Sequence, residues 1–302
     1  MPDYHPLRAV SPYKIDGGSR SSNQCVDATP HGHPERVWYL SNLGFTLDLR
    51  FEQLNVKDDW DRLLSCYIAG WDCITGPPSV RIRSAQNAAN LLIKQQDWEL
   101  SYQLLHGATS LLPTMSPRSL NHTDTQALLS DMFGLASSAA AVALHVGKTP
   151  GDALRLLELG RGVTASLLMD MRGDITELQS KHPDLAERFS HLRGELDSPA
   201  HNASVGIPDK LSSWESQMKR RREADEEFNK IIDEIQTQPG FSQFLQSPAI
   251  DDLMSAADRG PIIVVNVTYF RGDAFLIRSN AVQAIQLPGI TKDEFLKHIS
   301  DV

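Results

Sequence analysis

The stretch Asp152–Arg172 constrains the fold more than any other, because it is an amphipathic helix with apolar residues on two faces. The first stripe recurs at three- and four-residue steps and consists of Leu154, Leu157, Arg161, Ala165, Leu168 and Arg172. The second stripe lies on the neighbouring face and consists of Leu156, Leu159, Val163 and Leu167. Burial on two sides is expected of a helix that is the last of a helical array and also packs against another domain. Gly160 and Gly162 each cost about 1 kcal/mol inside a helix relative to Ala, so we expect a neighbouring helix to pack closely there.

Pairs of helical segments precede this stretch, and two features recur in them. The helix starts Asp59-Trp60-Asp61 and Asp97-Trp98-Glu99 lie 38 residues apart, and small or tight-packing residues recur between Asn42–Phe45 and Asn87–Asn90, 45 residues apart. Repeats of this size in helix-turn-helix units predict a tetratricopeptide-like array over residues 34–172. An ordinary irregular helical bundle is the alternative. We take Trp60 and Trp98 as candidate interaction or structural residues.

Composition and charge exclude several classes of function. The chain of 302 residues carries a net charge of -9, which argues against non-specific binding to nucleic acid or to an anionic membrane. Its apolar runs fall short of the roughly 20 residues of a membrane span, and its N-terminus shows no apolar secretory core. Three cysteines predict a reducing compartment, and hence a cytoplasmic protein. The basic run Lys219–Arg222 could direct the chain to the nucleus, but acidic residues four positions on favour a solvated helix face.

The N-terminal residues 1–33 are rich in Pro, Gly, Ser and Asp and predict disorder. His31 and His33 could be two metal ligands, but a loop is the better interpretation because no ligand cluster completes the site. We therefore expect neither a metal nor a cofactor.

The sequence pattern after Gly173 predicts a helical connector followed by strands. A helix is broken at His182-Pro183, and a long charged helix runs over residues 211–238. The apolar run that starts at Ile262 predicts a central strand buried on both faces. Arg271-Gly272-Asp273 predicts a hairpin turn, and two further strands follow before a helix begins in the segment ITKDEFLKHISDV.

Three stretches resemble one family. HPERVWYLSNLGFTLDLRFE is similar to the repeat unit of fungal tetratricopeptide proteins that carry a CHAT domain, the caspase-like domain found with such repeats. ALRLLELGRGVTASLLMDMRGDITELQSKHPDLAERFSHLRGELDSP resembles their connector, and PGFSQFLQSPAIDDLMSAADRGPIIVVNVTYFRGDAFLI resembles the entry to the CHAT domain. Composition predicts disorder over residues 1–33. For the rest of a mainly α chain, the resemblance implies a repeat array over 34–172, a connector over 173–258, and the first strands of an incomplete α/β caspase-like domain over 259–302.

The resemblance also implies a His-Cys catalytic pair, which this sequence does not supply. The family's His-Gly motif and later Cys follow further strands, and His298 is followed by Ile299 instead of Gly. We expect a chain truncated before its catalytic motifs, with no catalytic residue of its own. Cys66 and Cys73 lie on one repeat helix and are expected to be buried free thiols.

The sequence therefore predicts a protein-interaction and regulatory module of a CHAT-domain protein. The alternatives are a caspase-like cysteine protease whose activity resides after residue 302, and a plain helical-repeat scaffold. A protein or peptide partner is expected on the array. Arg161 and Arg172 lie nearly on one face and either receive acidic groups of that partner or pair with Glu158 and Asp170. We also expect the open edge of the sheet to pair with another chain.

Overall fold

The computed structural model describes residues 21–114, 122–169, 174–197, 210–242, 244–246 and 249–291. The chain separates into two compact units, Met1–Ala88 with Pro199–Arg222, and Ala89–Ser198 with Glu223–Val302. The described part is mainly helical and ends in a small antiparallel sheet, which confirms the coarse fold class. The tetratricopeptide and caspase-like identities, and the predicted segments 34–172, 173–258 and 259–302, remain predictions.

Helix α1 covers residues 21–28. The following helices are α2 (Arg36–Leu54), α3 (Lys57–Trp71), α4 (Pro78–Lys94), α5 (Trp98–Leu111), α6 (His122–His145), α7 (Pro150–Met169), α8 (Asp174–Lys181), α9 (Pro183–Asp197), α10 (Lys210–Gln236) and α11 (Ile250–Ser255). A 3-10 turn, Leu112–Thr114, follows α5. The strands are β1 (Ile262–Val267), β2 (Gly272–Arg278) and β3 (Ala281–Gln286). The predicted break at His182-Pro183 separates α8 from α9 and is confirmed.

In the first unit, α2 and α3 pack along one apolar stripe. Val37, Leu40, Leu43 and Leu47 are buried at the three- and four-residue spacing of one helix face. At Gly44 the ring of Tyr67 approaches so closely that an added Cβ would lie 2.6 Å from its Cε1. The expected need for a small residue in Asn42–Phe45 is therefore confirmed.

The prediction of disorder over residues 1–33 is wrong for the described residues 21–33. Arg36 donates from Nη1 to the carbonyl oxygens of Val26 and Thr29, which ties the end of α1 to the start of α2. Thr75 donates to the carbonyl of Gly32, and His33 accepts the Glu35 amide at Nδ1 as a turn cap. Residues 21–33 are therefore ordered despite their polar composition, because side chains from elsewhere in the chain donate hydrogen bonds to their backbone carbonyls.

In the second unit, α6 and α7 form a tight antiparallel pair joined by the turn at residues 146–149. Gly147 takes a positive φ of 77°, and Thr149 caps α7 by accepting the Asp152 amide while donating to its carboxylate. A Cβ added at Gly160 would overlap the Cβ of Ala136, so the close approach expected there is confirmed. The same expectation is wrong at Gly162, where an added Cβ meets nothing within 4 Å in the described part of the chain.

The connector helices form an aromatic core within the second unit. Phe189 of α9 stacks on Phe228 of α10 at 5.3 Å between ring centroids, and Phe241 closes the cluster from the following loop. The further members of this core are Leu178, Ala186, Leu192, Leu196, Ala224, Ile231 and Ile235.

The sheet has the order β1-β2-β3 with antiparallel pairing throughout. The prediction that β1 is a central strand buried on both faces is wrong. It is an edge strand, with Ile263 67% and Val265 50% exposed. A run of apolar residues indicates a strand but does not reveal which faces the rest of the fold covers. The buried Asn266 of β1 donates from Nδ2 to the carbonyl oxygen of Ser137 in α6 and so attaches the sheet to the helices.

Candidate functional site

A groove of about 370 Å³ opens between α5 and α7 in the second unit. Helix α5 contributes Tyr102, His106 and Ser110 at four-residue steps, which places them on one helix face. Helix α7 contributes Asp152, Arg155, Leu156 and Leu159. The loop that follows α10 supplies Leu245 and Gln246. Helices therefore form two walls, and a loop attached to the connector core forms the third side.

Both apolar and polar groups line this groove. Burial, followed by the charges of Asp152 and Glu99, raises the pKa of Tyr102, so its hydroxyl stays protonated near neutral pH. The ammonium of Lys148 lies 4.9 Å from the centroid of the Tyr102 ring, a cation–π distance that fixes the ring in place. The carboxylate of Asp152 accepts a hydrogen bond from the hydroxyl of Thr149, which holds it at the start of α7. The groove thus presents fixed hydrogen-bonding groups beside leucine side chains.

The loop wall is held by the residues around it. Leu245 takes a left-handed backbone with φ of 58°, which is uncommon for a residue with a bulky side chain. Gln236 donates to the carbonyl of Phe244 and accepts from Gln246, so the end of α10 holds both sides of the bend. Phe244 also packs edge-on against Phe189 at 5.2 Å. The aromatic core therefore positions this wall of the groove.

The sequence does not reveal this groove. It marks Leu156 and Leu159 only as members of an apolar helix stripe and gives His106 no role. A weak signal was present, because Tyr102, His106 and Ser110 form a polar stripe on an otherwise apolar helix. Nothing in the spacing of residues 102, 152 and 245 shows that they meet.

Trp98, a predicted interaction or structural residue, joins three elements of the second unit. Its ring stacks on His145 at the end of α6, with centroids 3.9 Å apart, and touches Phe270 of the β1–β2 loop at 5.6 Å. In the same loop, Arg271 donates to both carboxylate oxygens of the buried Asp273. Burial raises the pKa of Asp273, and Arg271 partly opposes that rise. The geometry gives Trp98 a structural contact between helices and sheet.

This contact makes the titration of His145 a probe of Trp98. Burial, followed by the positive charge of Arg271, lowers the pKa of His145 from its ordinary value of 6.5. Because the pKa of His145 is lower in the folded state than in the unfolded chain, this residue contributes stability above pH 6.5. That stability is lost as the pH falls through the pKa of the folded state. We expect Trp98→Leu to remove the ring that stacks on the imidazole and so to move the pKa of His145 upward. Titration of the His145 ring signals by NMR, assigned with His145→Gln, measures the shift. If the pKa of His145 is unchanged in Trp98→Leu, the tryptophan is not a cause of the lowered pKa.

Trp60 lies in a different setting from Trp98. It packs on Phe51 at 4.9 Å in the first unit, and its neighbour Asp59 is fully buried in an ion pair with Arg50. Helix α3 begins at Lys57, so Trp60 is its fourth residue, whereas Trp98 is the first residue of α5. The indole Nε1 of Trp60 is buried without a hydrogen-bond partner among the described residues. The two Asp-Trp-acid motifs therefore occupy non-equivalent positions.

The predicted arginine pair is described only in part. Arg161 donates from Nη1 to Glu158 Oε1 at 2.8 Å, one turn away on α7. Both side chains are partly exposed, and such surface pairs contribute roughly 0–1 kcal/mol. Arg172 and Asp170 lie outside the described residues, so the shared face with Arg161 stays a prediction.

Two of the described cysteines, Cys66 and Cys73, do not have the character of nucleophiles. Burial raises the pKa of Cys66 to about 11 and also raises that of Cys73, which keeps both as thiols at neutral pH. Within the described ranges, no group of three or more His, Cys, Asp or Glu side chains could hold a metal ion. Buried, protonated thiols such as those of Cys66 and Cys73 are weak nucleophiles.

In comparisons with known proteins, no family model, no curated protein and no solved structure matches this chain. Among the helices in the described ranges, none has the length and apolarity needed to cross a bilayer.

Proposed function

We propose that this chain is a protein-interaction module and that the groove between α5 and α7 binds a short segment of a partner protein. The groove itself carries the proposal. Its volume of about 370 Å³ lies within the roughly 300–1,000 Å³ typical of ligand sites. Its walls are two helices and a bend held by the connector core, so the shape exists before a ligand arrives.

The composition of the groove favours a peptide as its ligand. The leucines at positions 156, 159 and 245 offer an apolar surface to a buried side chain. Tyr102, Ser110 and Gln246 provide groups that pair with the amides and carbonyls of an extended backbone. Asp152 and Arg155 carry opposite charges, so the partner segment is selected by shape and hydrogen bonding more than by net charge.

The family resemblance extends this proposal. If the chain is part of a CHAT-domain protein, binding in the groove would regulate a caspase-like domain to which the three strands belong. The raised thiol pKa values of Cys66 and Cys73 argue against a protease nucleophile within the described residues. The interaction module is therefore preferred over an enzyme acting through those thiols.

A variant that fills the groove tests the proposal. Random displayed peptides are selected on the full chain, and the affinity of enriched peptides is measured by fluorescence anisotropy. We expect Ser110→Arg to weaken binding at least about tenfold, or roughly 1.4 kcal/mol, because the new side chain occupies the groove and adds charge beside Arg155.

Ser65→Arg is the matched control. Ser65 is exposed on α3 and bonds the carbonyl four residues earlier, as Ser110 does on α5. We expect peptide affinity to be unchanged in this variant. Equal affinities in both variants, or selection that enriches no peptide, would contradict the proposal.

A further inference from the structure

The loop wall of the groove depends on one backbone conformation. Leu245 takes a φ of 58° between Phe244 and Gln246, and its side chain is half-buried. A leucine in this left-handed region crowds its own Cβ against the backbone, so it stays there only where neighbouring groups hold it. The groups that hold Leu245 therefore also hold the third side of the groove.

Gln236, the last residue of α10, contacts the residues on both sides of Leu245. Its Nε2 donates to the carbonyl oxygen of Phe244 at 2.9 Å, and its Oε1 accepts from Nε2 of Gln246 at 3.1 Å. A single planar amide thus provides both a donor and an acceptor to this loop. The first bond fixes the main chain before Leu245, and the second orients a side chain that lines the groove.

The aromatic core contacts the same wall. Phe244 and Leu245 pack partly buried against that core, and the Phe244 ring meets Phe189 edge-on at 5.2 Å. Apolar packing is not directional, whereas a hydrogen bond requires a particular geometry. The core therefore keeps the loop close to α9 and α10, and the Gln236 amide selects the backbone conformation at Leu245.

We propose that Gln236 is a positioning residue of the groove, whose two hydrogen bonds keep the loop wall in place for a peptide. The inference rests on the proposed function for its ligand, while the position of the wall is a property of the free chain. A peptide that contacts Leu245 and Gln246 binds the chain in which the bend at Leu245 is formed. Peptide binding and bend formation therefore stabilise each other.

Hydrogen exchange of the Phe244 amide in the peptide-free chain tests the positioning role. This amide donates to the carbonyl of Phe241, so it exchanges when the turn before Leu245 opens. We expect Gln236→Ala to speed its exchange about fivefold, because both side-chain hydrogen bonds are lost, and to leave the α9 amides unchanged. A general loosening of the core would speed the α9 amides as well. Gln236→Glu, which keeps the acceptor for Gln246 and loses the donor to Phe244, is the second variant if Gln236→Ala fails to fold.

Gln238→Ala is the matched control. Gln238 lies two residues further along the chain, and its Nε2 donates to the carbonyl of Glu234 and the hydroxyl of Thr237 instead of to the loop wall. We expect the Phe244 amide to keep its original exchange rate in this variant. Equal rates in the unchanged chain and in Gln236→Ala would overturn the proposal.

Peptide binding supplies a second readout. With peptides enriched on the full chain, we expect Gln236→Ala to weaken affinity about fivefold, because Leu245 and Gln246 must then be ordered on binding. A saturating peptide should also slow exchange of the Phe244 amide in the unchanged chain. An affinity that Ser110→Arg lowers and Gln236→Ala leaves unchanged would overturn the positioning role and keep the proposed function. If selection enriches no peptide, the proposed function fails, and the exchange rate in the free chain still decides whether Gln236 holds the wall.

Discussion

Replacing Phe189 with alanine is expected to destabilise the second unit by about 3–5 kcal/mol. The Phe189 ring is fully buried, stacks on Phe228 and meets Phe244 edge-on, so truncation leaves a cavity beside these two rings. The guanidinium of Arg193 also lies 5.0 Å from its centroid and loses that contact. Urea unfolding, followed together with hydrogen exchange of the α9 and α10 amides, measures the loss.

Phe45→Ala supplies the control for that result. Phe45 is 60% exposed on α2, and the change removes the same atoms without opening a cavity. We expect its effect to stay within about 0.5 kcal/mol. Comparable losses in both variants would contradict the assignment of Phe189 to a packed core. Because Phe244 adjoins the loop wall of the groove, Phe189→Ala should also weaken peptide binding, whereas Phe45→Ala should leave it unchanged.

Gly160→Ala is expected to destabilise the pairing of α6 with α7 by about 1–3 kcal/mol. The added methyl would overlap the methyl of Ala136, so the two helices must separate. This cost exceeds the gain of about 1 kcal/mol that alanine brings to a helix interior. Thermal unfolding of the full chain, with hydrogen exchange of the α7 amides, reports the change.

The neighbouring glycine offers the opposite expectation. Gly162→Ala meets nothing within 4 Å among the described residues and should stabilise the helix by up to about 1 kcal/mol. The double variant Gly160→Ala with Ala136→Gly exchanges the two methyl positions and should recover most of the loss. If Gly160→Ala proved as stable as Gly162→Ala, the close contact between the helices would be refuted.

The helices were predictable from the sequence because their signals are local. Signals that span only a few residues set the helix boundaries and faces, as at the turn around Gly147, the break at Pro183 and the apolar stripe through Phe189. The small residue at Gly160 was also interpretable, since a glycine in a helix interior carries a cost that needs a reason. Gly162 shows the limit of that argument, because the same cost applies where no neighbour approaches.

Tertiary neighbours decide what the sequence did not show. The apolar run of β1 indicated a strand, but its position at the edge depends on which elements cover the sheet. The groove joins Tyr102, Arg155 and Leu245, whose spacing follows no periodic pattern. Trp60 and Trp98 share a local motif, yet one packs inside a helix pair and the other contacts a loop of the sheet.

The hydrogen bond from Asn266 to Ser137 has a consequence for the order of folding. The two strand pairings are hairpins between adjacent segments, whereas this bond joins residues 129 positions apart. Closing so long a loop carries an entropic cost that short hairpins avoid, and such contacts form late. The strands should therefore assemble as a meander first, and attachment to α6 should be a later, slower step. Until that step, both sides of the meander are accessible to other chains, so its lifetime sets the risk of misassembly.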